Sequence, residues 1–140
     1  MSAALVPELT VTNWRASVDF YCGILGFSVL YDRPEEGFAY LALGAAELMI
    51  DQIDRGRTFD ATLAFVDRPF GRGMNLQIKV DALVPVLDAL AAAGWPLVLP
   101  LEDRWYRRDP VECGNRQCVV ADPDGYLLRL YQDLGQRAPD

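Results

Sequence analysis

The stretch DPDGYLLRLYQ, residues 122–132, joins a tight turn to an alternating strand. Asp122-Pro123-Asp124-Gly125 has the composition of a turn, because proline fixes φ and glycine supplies a positive φ. The residues that follow alternate apolar and polar side chains with the period of two that is typical of a half-buried strand. We therefore predict a turn followed by a strand over residues 126–132.

This strand has a counterpart in the first half of the chain. LRLYQ at residues 128–132 matches LMIDQ at residues 48–52, and both segments end in glutamine. The other matching pairs are residues 6–11 with 75–80 and Gly26-Phe27 with Gly94-Trp95. An internal duplication is the simplest interpretation. It predicts one α+β domain over residues 1–140, built from two tandem βαβββ modules at about 5–53 and 74–133. The modules would form a curved mixed sheet with helices on one face.

Hydrophobic periodicity supplies the elements of each module. In the first module we predict strands at 5–11, 27–32, 38–43 and 47–52, with a helix at 14–25 that is capped by Asn13 and ended by Gly26. In the second we predict strands at 75–80, 96–101, 117–121 and 126–132, and a helix at 82–93. Residues 102–116 have the composition of an irregular loop, and residues 53–73 that of a linker with a possible short strand at 62–66.

The composition excludes several classes of chemistry. The 140 residues are 51% hydrophobic and 24% charged, which is typical of a globular protein, and they contain no histidine. Histidine-dependent triads and histidine-bound metals are therefore excluded. The three cysteines have no CxxC spacing and no histidine to activate them. Any chemistry must therefore use carboxylates or thiols, or there is none, and we expect no cofactor and no cysteine nucleophile.

Charge and the N-terminal sequence limit the partners and the location. The formal charge of −7 disfavours nucleic acids and anionic membranes as partners, and it suits a cationic ligand. The segment Met1–Pro7 lacks the basic region and the long apolar region of a signal peptide, and no apolar run approaches the roughly 20 residues of a membrane-spanning helix. We expect a cytoplasmic protein.

Strand parity predicts which side chains form the core and which lie on the opposite face. The apolar set is Leu9, Val11, Leu48, Ile50, Leu76, Ile78, Val80, Leu128 and Leu130. The opposite face receives Glu8, Met49, Asp51, Asn75, Gln77, Lys79, Arg129 and Tyr131, and by the same parity Phe38 and Tyr40. Aromatic rings beside a few polar groups are typical of a small-molecule pocket, although a solvated sheet face would also be polar.

These motifs together resemble a known family. Phe20-Tyr21, Leu25-Gly26-Phe27 and Asp122–Tyr126, in this order and within paired modules, resemble the vicinal oxygen chelate superfamily of glyoxalase I, extradiol dioxygenases and bleomycin resistance proteins. The resemblance covers about residues 6–132. Its metal-dependent members hold their metal at positions that map here to Val6, Met49, Asn75 and Arg129. These side chains are unsuited to a divalent metal, so the resemblance points to the metal-free branch.

The metal-free branch that the chain resembles is the bleomycin resistance type. Pro7 in the first strand, the run Glu35–Tyr40 and the acidic charge carry this likeness. The resemblance implies a homodimer, with strand exchange at Pro7, that binds and sequesters a bleomycin-type cationic glycopeptide antibiotic without catalysis. The alternatives are a metal-free binder of another small molecule, with Arg129 and Lys79 holding an anion, and a metal-dependent lyase or dioxygenase.

A cationic, flat drug would need aromatic walls and acidic partners. Trp105 and Tyr106 complete the predicted walls, and Glu102 and Asp103 are further charge partners, whereas Arg107 and Arg108 would bring positive charge to the site. The full set of candidate ligand-binding residues is Glu8, Phe38, Tyr40, Met49, Asp51, Asn75, Gln77, Trp105, Tyr106, Arg129 and Tyr131.

Overall fold

The computed structural model describes residues 3–55 and 74–139, which form two units. The N-terminal unit comprises Met1–Met74 and the turn Asp122–Gly125, and the C-terminal unit comprises Asn75–Ala121 and Tyr126–Asp140. The possible strand at 62–66 and most of the predicted linker lie outside the described residues.

Within residues 3–55, the N-terminal unit contains helical segments and a four-stranded mixed sheet. The elements are β1 (Glu8–Val11), α1 (Trp14–Val18), a π-helical segment (Asp19–Ile24), β2 (Ser28–Arg33), a 3₁₀ turn (Pro34–Glu36), β3 (Phe38–Leu43) and β4 (Ala46–Gln52). The strand order is β1-β4-β3-β2, in which β1 runs parallel to β4 and the other pairs are antiparallel.

The C-terminal unit repeats this arrangement. Its elements are β5 (Asn75–Lys79), α2 (Val84–Ala92), β6 (Leu97–Arg108), β7 (Val111–Ala121) and β8 (Leu127–Arg137). The strand order is β5-β8-β7-β6, again with the first strand of the module parallel to the last. The α+β class and the two βαβββ modules are therefore confirmed.

The pairing register agrees with the predicted duplication. Glu8 is opposite Met49 in the first sheet, and Gln77 is opposite Arg129 in the second. The repeated glutamine also has the same task in both modules, because its side-chain oxygen accepts a backbone N–H at the start of a helix. The Gln52 side chain accepts from the N–H of Trp14 at 3.1 Å, and that of Gln132 from the N–H of Leu83 at 3.2 Å.

The predicted core is apolar, and it is buried except at Leu76, which is half-buried. Leu48, Ile50, Leu128 and Leu130 are at most 2% exposed, as the strand parity predicts. The prediction that Asn13 caps the first helix is also confirmed, since its Oδ1 accepts from the N–H of Ala16.

The turn at Asp122–Gly125 belongs to the N-terminal unit through a buried hydrogen bond. The Tyr21 ring is fully buried, and its hydroxyl donates to Oδ2 of Asp122 at 2.8 Å. Asp122 Oδ1 accepts from the N–H of Asp124 and so closes the turn locally. No helix in the described residues has the length and apolar character needed to cross a membrane.

The prediction of an irregular loop over residues 102–116 is wrong. These residues continue β6 and β7 as a long hairpin that turns at Asp109-Pro110. The mixed charges that resembled a solvated loop pair across the strands, as Arg116 does with Asp103 at 2.8 Å. Strand β8 also extends five residues beyond Gln132, because it pairs with the full length of β7.

Candidate functional site

The N-terminal unit contains a cavity of about 280 Å³, which we call the acidic cavity. All four strands and the 3₁₀ turn contribute to it. Its position follows from the register, because Met49 is opposite Glu8, and Phe38 is opposite both Asp51 and Arg33. The residues that line it are Glu8, Tyr31, Arg33, Glu36, Phe38, Met49 and Asp51.

One wall of the acidic cavity belongs to an aromatic cluster. The rings of Tyr31 and Tyr40 are stacked, with centroids 5.1 Å apart and an interplanar angle of 18°, and Phe38 lies 5.9 Å from Tyr31. Phe38 and Tyr40 are each 5% exposed, whereas Tyr31 is 49% exposed. Tyr40 donates its hydroxyl to Glu47, which lowers the pKa of that carboxyl. The cluster therefore presents the Tyr31 ring to solvent on a rigid, buried support.

The charge of this cavity is negative. Three carboxylates and one guanidinium line it, and Arg33 is paired with Glu36 at 2.7 Å. Asp51 is only 5% exposed, and its burial raises the pKa of the carboxyl group. The nearby charges of Glu8 and Glu36 raise the pKa further, and Arg33 opposes them. Glu8 and Asp51 are thus acidic groups without a paired cation among the described residues.

The C-terminal unit contains a larger cavity of about 500 Å³ with the opposite charge, which we call the basic cavity. Its arginines are Arg107 and Arg108 from β6 and Arg129 from β8, and its one acidic side chain is that of Asp133. The other residues that line it are Gln77, Tyr106, Cys113, Asn115, Tyr131, Gly135 and Gln136. Arg107 and Arg108, which we expected to bring positive charge to the ligand site, line this cavity.

The candidate ligand-binding residues divide between the two units. Four line the acidic cavity and four line the basic cavity. Those in the acidic cavity are Glu8, Phe38, Met49 and Asp51, and those in the basic cavity are Gln77, Tyr106, Arg129 and Tyr131.

Three candidates line neither cavity. Tyr40 is buried behind Tyr31, and Asn75 is exposed at the start of β5. Trp105 packs across the hairpin against Gly114, with the guanidinium of Arg137 4.2 Å from its ring centre.

The charge partners predicted in the hairpin are engaged locally. Asp103 accepts two hydrogen bonds from Arg116, and these lower the pKa of the Asp103 carboxyl. Glu102 accepts from Nε2 of Gln117 at 2.9 Å. Lys79, the predicted partner of Arg129 for an anion, is exposed and does not line the basic cavity.

Sequence reasoning missed part of each cavity. Tyr31 was assigned only to a predicted strand, Arg33 to no element, and Glu36 only to the run Glu35–Tyr40. These residues supply the exposed ring and half of the charges of the acidic cavity. A signal for these residues was present in the sequence. Tyr31 and Arg33 are two positions apart and so lie on the same face of β2, and Glu36 follows three positions after the arginine, where it can pair with it. Asn115 and Asp133 were missed because the hairpin and the end of β8 were predicted too short.

The residues at the expected metal positions do not fit a divalent ion. Val6 has no donor, Met49 offers a soft thioether, and Arg129 brings a positive charge, which leaves only the Asn75 amide. Within residues 3–55 and 74–139 there is no group of three or more Cys, Asp or Glu side chains that could hold a metal.

Comparison with known proteins identifies the family. The sequence profile of the Glyoxalase/Bleomycin resistance protein/Dioxygenase superfamily matches residues 4–130. The chain belongs to this superfamily. Among its relatives is a bleomycin resistance protein of Geobacillus stearothermophilus, 26% identical over 137 residues, which cover 92% of this chain and 96% of that protein. Bleomycin resistance proteins of Staphylococcus aureus match to the same extent.

Two solved structures share the fold. TioX from Micromonospora sp. ML1 is 25% identical with a TM-score of 0.67, and the match covers 95% of this chain and all of TioX. TnmS3, an antibiotic binding protein from Streptomyces sp. CB03234, is 23% identical with a TM-score of 0.58, over 95% of this chain and 98% of TnmS3.

Proposed function

We propose that this protein binds a cationic antibiotic of the bleomycin type and sequesters it without making or breaking bonds. The observation that carries the proposal is the acidic cavity, where two carboxylates without a paired cation lie beside an exposed aromatic ring. The kinship with bleomycin resistance proteins supports it. The proposal keeps the cytoplasmic location expected from the N-terminal sequence.

The cationic part of the ligand is held by charge. Glu8 of β1 lies opposite Met49 of β4, and Asp51 of β4 lies opposite Phe38 of β3. Both carboxylates are therefore held by strands and not by loops. An ammonium group that binds at Asp51 moves from water to the side of a buried carboxylate. The effective dielectric constant is lower there, so the attraction between the two charges is stronger than in water. Arg33 pairs with Glu36 and lies over the Phe38 ring, 4.0 Å from its centre, and it forms no ion pair with Glu8 or Asp51.

The flat part of the ligand is held by stacking. Tyr31 is half exposed and is supported from behind by Tyr40, so a heteroaromatic ring can stack on it without a large loss of side-chain entropy. A cation near this ring gains about 0.5–1 kcal/mol more from the face of the ring. The two contacts together match a ligand with a flat ring system and a positive tail.

Sequestration suits the chemistry of the chain better than catalysis does. The metal positions hold unsuitable donors, and burial raises the pKa of the Cys22 and Cys118 thiols, which keeps them protonated and unreactive. Binding alone confers resistance when the protein is in excess over the drug. Catalysis is not required.

The proposal includes a homodimer with strand exchange at Pro7. Pro7 immediately precedes β1, and its carbonyl accepts from the N–H of Met49 at 2.8 Å. Light scattering of the purified protein tests this part of the proposal: a mass near 31 kDa, twice that of the chain, is expected, and a mass of 15.6 kDa would contradict it.

Calorimetric titration with metal-free bleomycin tests the binding. We expect saturable binding at micromolar protein, and about tenfold weaker binding for Asp51→Asn, which removes the charge but keeps the shape. The matched control is Glu35→Gln, because Glu35 is exposed, carries the same charge in the same unit and does not line the cavity. Absence of saturable heat, or equal losses in both variants, would overturn the proposal.

The pH dependence of the affinity gives a second readout. Because the pKa of Asp51 is raised, its carboxylate is neutralised at a higher pH than an ordinary aspartate. Affinity for the cation should therefore fall as the pH is lowered, beginning above the ordinary aspartate range. In Asp51→Asn this component should be absent.

A further inference from the structure

The basic cavity of the C-terminal unit has a charge that the proposed cationic ligand does not explain. Glu112, opposite Arg107 in β7, is neutralised by Arg137 at 2.8 Å. Three arginines line the cavity together with Asp133, and Asp109 pairs with Arg107 at 2.8 Å. Counting these five groups leaves one positive charge uncompensated. Arg108 and Arg129 have no ion-pair partner among residues 3–55 and 74–139.

Arg129 carries the clearest sign of an absent acceptor. Its Nε lies out of contact with solvent and has no hydrogen-bond partner within the described part of the chain, although the residue lines the cavity. Buried N–H groups are nearly always paired, and those of a charged group most of all. Arg129 lines the cavity, and a carboxylate matches a guanidinium with two parallel hydrogen bonds.

The remaining walls are those of a site for a flat organic molecule. Tyr106 and Tyr131 offer aromatic rings, and the side chains of Gln77 and Asn115 offer amide groups. Tyr106 is held in place because its hydroxyl accepts from Nε2 of the buried Gln117 at 2.9 Å. The volume of about 500 Å³ lies within the range of small-molecule sites.

We propose that the basic cavity is a second binding site, which takes a small aromatic carboxylate through Arg129 and Arg108. The single uncompensated charge favours a monoanion over a dianion such as a phosphate monoester. All residues of this site belong to the C-terminal unit, so the proposal can be tested independently of cation binding in the acidic cavity.

Ligand-observed NMR with benzoate, its neutral isostere benzamide and phenyl phosphate tests this site on the full-length protein. We expect benzoate to bind with a dissociation constant in the range of about 0.1 to 10 mM, as befits a small fragment. Benzamide should bind at least about tenfold more weakly, and the benzoate affinity should fall as salt is added. Equal binding of benzamide, or tighter binding of phenyl phosphate than of benzoate, would overturn the assignment.

Variants locate the binding. Arg129→Met and Arg108→Gln should each weaken benzoate binding by about tenfold or more. Arg104→Gln is the matched control, since Arg104 is an exposed arginine of the same strand as Arg108 and does not line the cavity. Because Arg129→Met alters a partly buried position, Arg108→Gln keeps the test valid if that variant misfolds. An equal loss in Arg104→Gln would refute the site, and so would unchanged binding in Arg108→Gln.

Asp51→Asn separates the two proposals. It should weaken bleomycin binding and leave benzoate binding unchanged. A loss of benzoate binding in this variant would contradict a site confined to the basic cavity.

Discussion

Replacing Gly114 by alanine should destabilise the hairpin, because the space for the added methyl group is already filled by Trp105. An ideal Cβ on Gly114 would lie 2.7 Å from Cη2 and Cζ3 of the indole and 2.8 Å from Cε3. Carbon atoms in contact normally lie about 3.5–4.0 Å apart, so the ring would have to retreat by roughly 0.8 Å or more. It cannot retreat freely, because Arg137 lies over the ring, 4.2 Å from its centre.

The expected cost follows from overpacking and from the loss of this cation–π contact. Overpacking of a filled site costs about 1–3 kcal/mol, and an exposed cation–π contact contributes about 0.5–1 kcal/mol. For a chain of this length we expect Gly114→Ala to lower the melting temperature by roughly 3–12 °C. Calorimetry or thermal denaturation followed by circular dichroism measures the shift.

Two comparisons make the test specific. Gly23→Ala introduces the same methyl group in the π-helical segment, where nothing lies within 4 Å, and it should leave stability unchanged or raise it by up to about 1 kcal/mol. In a Trp105→Ala background, the cost of Gly114→Ala should largely disappear, since the clashing ring is gone. A Gly114→Ala protein as stable as the parent would refute the packing that we assign to Trp105.

Three further predictions concern stability. Tyr21→Phe removes the buried hydroxyl that donates to Asp122 and should cost about 1–2 kcal/mol in the free energy of unfolding, measured by urea denaturation; no loss would contradict a contribution from this bond. Gln132→Ala removes the acceptor for the N–H of Leu83 and should cost about 0.5–2 kcal/mol by the same measurement, and an unchanged stability would show that water replaces the cap. Asp51→Asn should raise the melting temperature near pH 7, because the raised pKa of Asp51 means that ionisation of this carboxyl group opposes folding. The gain in melting temperature should vanish as the pH falls below the ordinary pKa of aspartate. A lower melting temperature of the variant at neutral pH would contradict this prediction.

The sequence by itself determined the architecture of each module. Alternation along residues 48–52 and 128–132 predicted which side chains are buried, and Leu48, Ile50, Leu128 and Leu130 are indeed in the core. The period of two is a property of any extended strand, so it does not depend on the neighbouring strands. The repeated glutamine could be recognised from the sequence. Its role as a helix cap could not, because that role depends on where the backbone N–H groups of the helix lie in the folded structure.

Only the tertiary structure decided the character of the two cavities. Tyr31 supplies the exposed ring of the acidic cavity because β2 pairs with β3 in a register that places Tyr31 opposite Tyr40. The charged run in the hairpin resembled a loop, because the cross-strand partners that neutralise it are distant in sequence. The overall charge of −7 likewise concealed a separation into an acidic and a basic cavity. Net charge is a sum over the chain, whereas a ligand responds to the few groups within a Debye length, and the strand pairing selects those groups.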